Sequence, residues 1–221
     1  SSPSFLYRSE IGASSGGNFK LDGYEMASLL SYTLWGSTPD DALLSAAKNG
    51  QLGDTNVMRQ HAERLLADDR AKAQFAHFGR QWLNVGNVSA ETKDDTIFTD
   101  YTVQMANLME TELDLFLQEL FLGDGYKTAD VYTADFTFLN NDLARFYGIN
   151  NANTSDFQKV TVDNKRHGVL TKGALLTINA SSKENHPIKR GLLVRRNLLC
   201  QEFGLPPANV GEIEPLDPSK P

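Results

Sequence analysis

One cysteine in 221 residues, Cys200, excludes any disulfide within the chain. The four histidines, His61, His77, His167 and His186, include no pair at the close helical spacing of a zinc motif. Cys-x-x-Cys-His is absent, so the segment cannot attach a c-type haem by itself. Also absent is the Gly-x-Ser-x-Gly elbow that would present a nucleophilic serine. No apolar run approaches the roughly 18 residues of a membrane-spanning helix. These absences lead to the expectation of no catalytic residues, no metal, no cofactor in this segment and no membrane span. The chain opens on Ser-Ser-Pro-Ser, with no charged-then-apolar leader, as expected of a mature or excised fragment.

What is present suffices for a packed domain. Hydrophobic residues make up 40% of the chain, and twelve Phe and seven Tyr supply large apolar faces. The net charge of −7 is unevenly spread. Between Lys159 and Arg196 nine Lys or Arg face only Asp163 and Glu184, which makes that stretch basic on an acidic body. Such a segment docks an anion, an acidic partner or the body itself. Nucleic acid is excluded as a partner by the acidic total and by the lack of a basic stripe interleaved with aromatics.

Helix signals dominate. Asp22 with Glu25 forms a capping box, and Tyr24, Ala27, Leu30, Ser31 and Leu34 follow at helical spacing toward Trp35 and Gly36. Thr38 and Pro39 predict a second start, Asp54 a third, and Asp68-Asp69 a fourth that runs to Trp82 or Asn84. Residues 85–99 read as a surface loop. Thr99 or Asp100 is expected to cap the longest helix, whose buried spacing takes Met105, Leu108, Met109, Glu112, Leu115, Phe116 and Leu120. Phe136–Tyr147, Val169–Ile178 and Ile188–Leu199 are expected as further helices. Gln158–Val162 reads as a strand ahead of an Asp163-Asn164 turn. The fold class is mainly α, an irregular multi-helix bundle with at most one or two short strands. The expected division is a helical domain over 1–150, a second domain of packed helices over 151–205 and a Pro-rich tail over 206–221.

The chemistry-bearing candidates concentrate in the basic stretch. Arg166, His167, His186, Lys189 and Arg190 are the candidates for binding an anion or a partner. Arg8, Arg145, Arg166 and Arg190 lie next to apolar runs or turns, where a guanidinium clamps carbonyls or carboxylates. Cys200 admits three readings: a buried structural thiol, a reactive one, or a disulfide to a segment outside this chain. His61 and His77 read as solvated. Glu110, Glu112 and Asp114 crowd one helix and read as a solvated face, since no second acidic helix matches them.

Several blocks together resemble a known family. Pro3-Ser4-Phe5-Leu6-Tyr7-Arg8, Leu21-Asp22-Gly23-Tyr24-Glu25, Leu34-Trp35-Gly36-Ser37-Thr38-Pro39-Asp40, Gln81-Trp82-Leu83 and Thr137-Phe138-Leu139-Asn140 are similar to planctomycete-type secreted, cytochrome-like multidomain proteins. Arg166-His167-Gly168-Val169-Leu170-Thr171, Pro187-Ile188-Lys189-Arg190-Gly191 and Leu198-Leu199-Cys200 resemble the next domain of the same proteins. The resemblance implies two consecutive domains of unknown function ahead of a haem-attachment segment. It further implies a periplasmic or secreted protein, a c-type haem in the parent, and a downstream haem domain or redox partner. It implies no catalytic residues. Where such proteins have Thr-Ser before the proline of the Pro-x-Lys-Arg-Gly block, this chain has Asn185-His186.

The leading expectation is a non-catalytic module that supports electron transfer by packing on the haem segment. Its rivals are a share in an oxidoreductase or hydrolase pocket completed by neighbouring domains, with His186 and Arg190 facing substrate, and a polysaccharide- or partner-binding module using Tyr101 and Tyr126 as exposed platforms.

Overall fold

Asp22 opens the first long helix as its place before Glu25 predicts. Its carboxylate accepts the Glu25 N–H at 2.8 Å, and Glu25 Oε2 accepts the Asp22 N–H at 2.8 Å, which satisfies two donors reciprocally. Glu25 Oε1 accepts the N–H groups of Ile11 and Gly12 at 2.8 and 3.0 Å. These donors, Asp22 first, hold the Glu25 carboxyl below its ordinary range. They also anchor an antiparallel pair, β1 (Ala13–Ser15) and β2 (Asn18–Lys20), to the start of α1 (Gly23–Trp35).

The computed structural model describes residues 7, 10–15, 17–149, 154–163, 165–202 and 204. Arg8, Asn164 and the Pro-rich tail lie outside them. After α1 come α2 (Asp41–Lys48), α3 (Thr55–Leu66), α4 (Asp69–Trp82), α5 (Val103–Leu122) and the short α6 (Asp130–Thr133). Then follow β3 (Phe136–Leu139), α7 (Asn141–Tyr147), β4 (Gln158–Thr161), α8 (Gly173–Ile178) and α9 (Pro187–Leu193). The class is mainly α; the strands number four among the described residues, in two short pairs, where one or two were expected.

Several boundaries move, each for a local reason. The second helix is capped by Asp40 instead of Thr38, because the Asp40 carboxylate both accepts the Leu43 N–H at 3.0 Å and is gripped by Arg64 at 2.7 and 3.1 Å. The longest helix starts after Thr102, whose hydroxyl accepts the Met105 N–H at 3.1 Å. Phe136–Tyr147 is not one helix: Phe136 pairs with Thr161 and Leu139 with Gln158, and only after Asn140 caps Leu143 does the chain turn helical. Residues 85–99 are less of a surface loop than expected, since Val85 and Val88 are buried and Val88–Ala90 forms a 3-10 turn. The 169–178 segment breaks at Lys172 into a 3-10 turn and α8, and the last helix passes into a π turn over Val194–Leu198. Trp82 and Asn197 hold that turn to α4 by reciprocal bonds, Nε1 to the Asn197 carbonyl at 2.8 Å and Nδ2 to the Trp82 carbonyl at 2.7 Å.

Two cores result. The smaller packs α1 to α3 around Ala27, Trp35, Leu43, Leu52 and Leu65. Trp35 donates Nε1–H to the Leu65 carbonyl at 2.8 Å, and the Arg70 guanidinium lies 3.4 Å above its ring. The larger core wraps α5: Met109, Leu113, Phe116 and Leu120 meet Leu83 and Val88 on one side and Phe136, Leu143, Val169, Leu175 and Leu193 on the others. Residues 169–193 therefore bury their apolar face in the same core as residues 83–144. Helix α4 joins the cores, where Gly79 lets Leu117 of α5 come close enough that a Cβ would sit 2.8 Å from it.

Candidate functional site

On α5 the buried stripe of Ala106, Met109, Leu113, Phe116, Leu117 and Leu120 contains one acid. Glu112, 2% exposed, accepts the hydroxyl of Thr137 on β3 at 2.5 Å and that of Tyr147 at the end of α7 at 2.6 Å. Burial first, then the Glu112 charge, drives the Tyr147 phenol well above its ordinary range. Lys172, also 2% exposed, lies beside this group at the break before α8. Its ammonium donates to the Phe136 carbonyl at 3.1 Å and sits 4.0 Å over the Phe116 ring. Burial lowers its pKa to about 8, against the pull of Glu112. Gly173 completes the arrangement, because a side chain there would collide with the Tyr147 hydroxyl and meet Met109 at 3.0 Å.

The solvated reading of Glu110, Glu112 and Asp114 is thus wrong. Glu110 accepts the Val88 N–H and lies 3.5 Å from Arg80, and Arg80 also reaches Asp114 at 3.4 Å. Desolvation chiefly raises the Asp114 pKa, and its Oδ1 is buried without a hydrogen-bond partner among the described residues.

Above the Glu112 group a groove of about 510 Å³ opens between the 93–98 loop, α7 and α8. Phe98, Tyr101, Met109, Phe146, Tyr147 and Leu176 give it an apolar lining, and Lys93, Arg166, Lys183 and Glu184 supply its charges. Each cation is positioned differently. The Arg166 guanidinium stacks 4.2 Å from the Tyr147 ring and makes one long bond, 3.5 Å, to the Tyr147 carbonyl. Lys93 donates to the carbonyls of Thr177, Ala180 and Ser181 at 2.9, 3.4 and 3.1 Å, closing the C-terminal end of α8. Burial lowers its pKa, Glu91 opposes that, and Lys189 adds to it. Lys183 rides on a tight 180–185 hairpin and pairs with Asp94 at 3.3 Å.

The five basic-stretch candidates do not converge on one point. Arg166 lines the groove, and Lys189 lies near enough to Lys93 to act on its charge. His167 contributes its carbonyl, which accepts the Thr171 hydroxyl at 3.1 Å. Arg190 belongs to a separate cleft with Leu170, Leu175 and Leu193. His186 is the N-cap of α9, its Nδ1 accepting the Lys189 N–H at 3.3 Å. An imidazole nitrogen here does what a short hydroxyl does at a helix start, which accounts for the Asn185-His186 departure. His186→Ser should therefore unfold at the parent's urea midpoint, whereas His186→Ala should lose about 0.5–2 kcal/mol; an alanine variant as stable as the parent would remove this account. Arg145 is no clamp, being exposed and only 3.7 Å from Asp142. Cys200 is an exposed free thiol, which removes the buried structural reading. Tyr101 and Tyr126 are half-buried, with their hydroxyls committed to Val88 and Glu91 carbonyls and to Glu119 respectively, so neither is an exposed platform. Among the described residues no His, Cys, Asp and Glu cluster could hold a metal, and no helix is long and apolar enough to cross a membrane.

Two family models match the sequence. PSD4, a protein of unknown function (DUF1592), matches residues 21–149, and PSCyt3, a protein of unknown function (DUF1588), matches residues 166–220. No curated protein and no solved structure matches the chain.

Proposed function

The chain belongs to the DUF1592 family, and from that premise we propose that it is a non-catalytic helical module of a secreted, cytochrome-like protein. In this reading it supports electron transfer by packing on a c-type haem segment downstream, in the periplasm or outside the cell. The name of the second matching family, PSCyt3, supports a cytochrome context. The observation that carries the reading is the distribution of charge: Arg166 and Lys183, with Lys93 from the acidic half, line one apolar groove, and Lys189 lies near enough to act on Lys93, in a chain whose net charge is −7. Opposed potentials guide such surfaces together and fix their register. The pocket-enzyme rival loses support, because His186 is spent on a helix cap and Arg190 faces another cleft.

Titration of the chain with an isolated haem segment, followed by the haem's visible absorption and by calorimetry at low salt, tests the reading. Association should weaken steeply as salt rises, and Lys189→Gln combined with Lys183→Gln should weaken it at least fivefold. No association at low salt would sink the proposal.

A further inference from the structure

We infer that the groove beside Arg166 binds a small organic carboxylate with an aromatic or otherwise apolar body. The guanidinium is the strongest reason. It is half-buried, oriented by stacking on Tyr147, and engaged by a single 3.5 Å bond to a backbone carbonyl. Among the described residues no carboxylate oxygen comes within ion-pair distance of it. An oriented guanidinium with unused donors at the wall of an apolar cleft presents the planar fork that a carboxylate fills with two parallel hydrogen bonds. The two other cations of the lining are already committed. Lys93 has three carbonyl acceptors for its three protons, and Lys183 has Asp94. These two cations therefore favour an anion through their charge, and Arg166 supplies the directional contact.

The lining sets the rest of the ligand. Phe98, Met109, Phe146 and Leu176 offer apolar surface in a space of about 510 Å³, within the roughly 300–1,000 Å³ of small-molecule sites. A bare inorganic anion would leave that surface wet. A ligand bearing two or more charges would meet Glu184 at the rim. One carboxylate on a ring satisfies both halves of the groove. The Glu112 and Tyr147 bond beneath fixes the ring on which Arg166 stacks, so the anchor is held by the core.

This inference does not depend on the haem-segment reading, because the probe is a small molecule added to the chain alone. The probes are 2-naphthoate, its neutral analogue 2-naphthamide, and inorganic phosphate, followed by amide and aromatic NMR shifts of the whole chain. Naphthoate should bind at least tenfold more tightly than naphthamide, with shifts centred on Phe98, Leu176 and Thr177. Raising the salt from about 0.05 to 0.5 M should weaken naphthoate and leave naphthamide unchanged, a readout that needs no variant. Arg166→Gln should remove most of naphthoate's advantage over the amide, leaving the part that Lys93 and Lys183 supply through their charge, and Arg166→Lys should restore only part of the loss. Equal affinities for acid and amide would overturn the inference. So would shifts lying outside the groove, or phosphate binding as tightly as naphthoate. Failure here with intact salt-sensitive binding of the haem segment would remove the small-ligand site alone.

Discussion

Glu112→Ala is expected to cost about 3–5 kcal/mol at pH 7.5, because it strips a buried cation of the one opposite charge that acts on it among the described residues and orphans two hydroxyls at once. Thr137 and Tyr147 donate to the two oxygens of Glu112, and Lys172 lies within reach of its charge in the same core. Glu112→Gln keeps the shape and an acceptor but not the charge, and should cost less, about 1–3 kcal/mol. The dependence on pH separates charge from packing. The Lys172 pKa is about 8 in the fold against 10.5 in the unfolded chain. Between those values the unfolded chain holds a proton that the fold has shed. The contribution of Lys172 to stability therefore rises with pH in that window, by about 1.4 kcal/mol per pH unit at most. Tyr147 works the other way, since its raised pKa makes stability fall above pH 10. Urea unfolding at pH 7.5 and 9.5 brackets the lysine. Removing Glu112 pushes Lys172 lower still, so the gap between parent and Glu112→Ala should narrow at pH 9.5, and Lys172→Met in the same background should abolish the narrowing. A gap of constant size would show that Glu112 stabilises by its hydrogen bonds alone.

This buried group also marks where reading the sequence stops working. Caps and stops are local, and most were legible: Asp22 with Glu25, Asp54, Asp68 and Gly36 stand where their short-range chemistry puts them. Glu112 was legible in part, since it falls on the apolar stripe of α5 with Met109 and Phe116, and an acid at a buried position asks for partners. Those partners come from residues 137, 147 and 172, and nothing in local spacing names them. Lys172 between two short apolar runs carries no periodic signal of its own. Phe136–Leu139 failed for a related reason. Its residues suit helix or strand, and β4, some twenty residues later, makes the choice. In the candidate site Arg166 was found from its place in the basic stretch. Its groove was not, because Lys93 and Phe98 come from a loop read as surface and meet Arg166 only through the α8 end that Lys93 closes.

Gly168→Ala should be the most damaging single change in the basic half, with a loss of about 3–5 kcal/mol or outright failure to fold. Gly168 has φ 66° and ψ −176°, a conformation that residues with a Cβ rarely adopt. A Cβ there would also press on the backbone of Tyr132, overlapping its carbonyl and lying 2.7 Å from its Cα. Backbone cannot swing aside as a long side chain would. The contact is held on both sides, since the Gly168 N–H donates to the Ala134 carbonyl at 2.9 Å and Val169 next to it is buried in the large core. Gly125→Ala is the matched control. Gly125 has φ 84° but no atom within 4 Å of the added carbon, so it should show the backbone cost alone, about 1–2 kcal/mol. The difference between the two variants in urea midpoint measures the close approach of residues 168 and 132. Arg166 lies two residues before this contact, and a partly folded Gly168→Ala should lose the stacking of Arg166 on Tyr147 before it loses the helices. Tyrosine ring shifts read against far-ultraviolet circular dichroism would reveal that order. Equal losses in the two glycine variants would mean that the Tyr132 backbone yields, and that Arg166 is placed by Tyr147 alone.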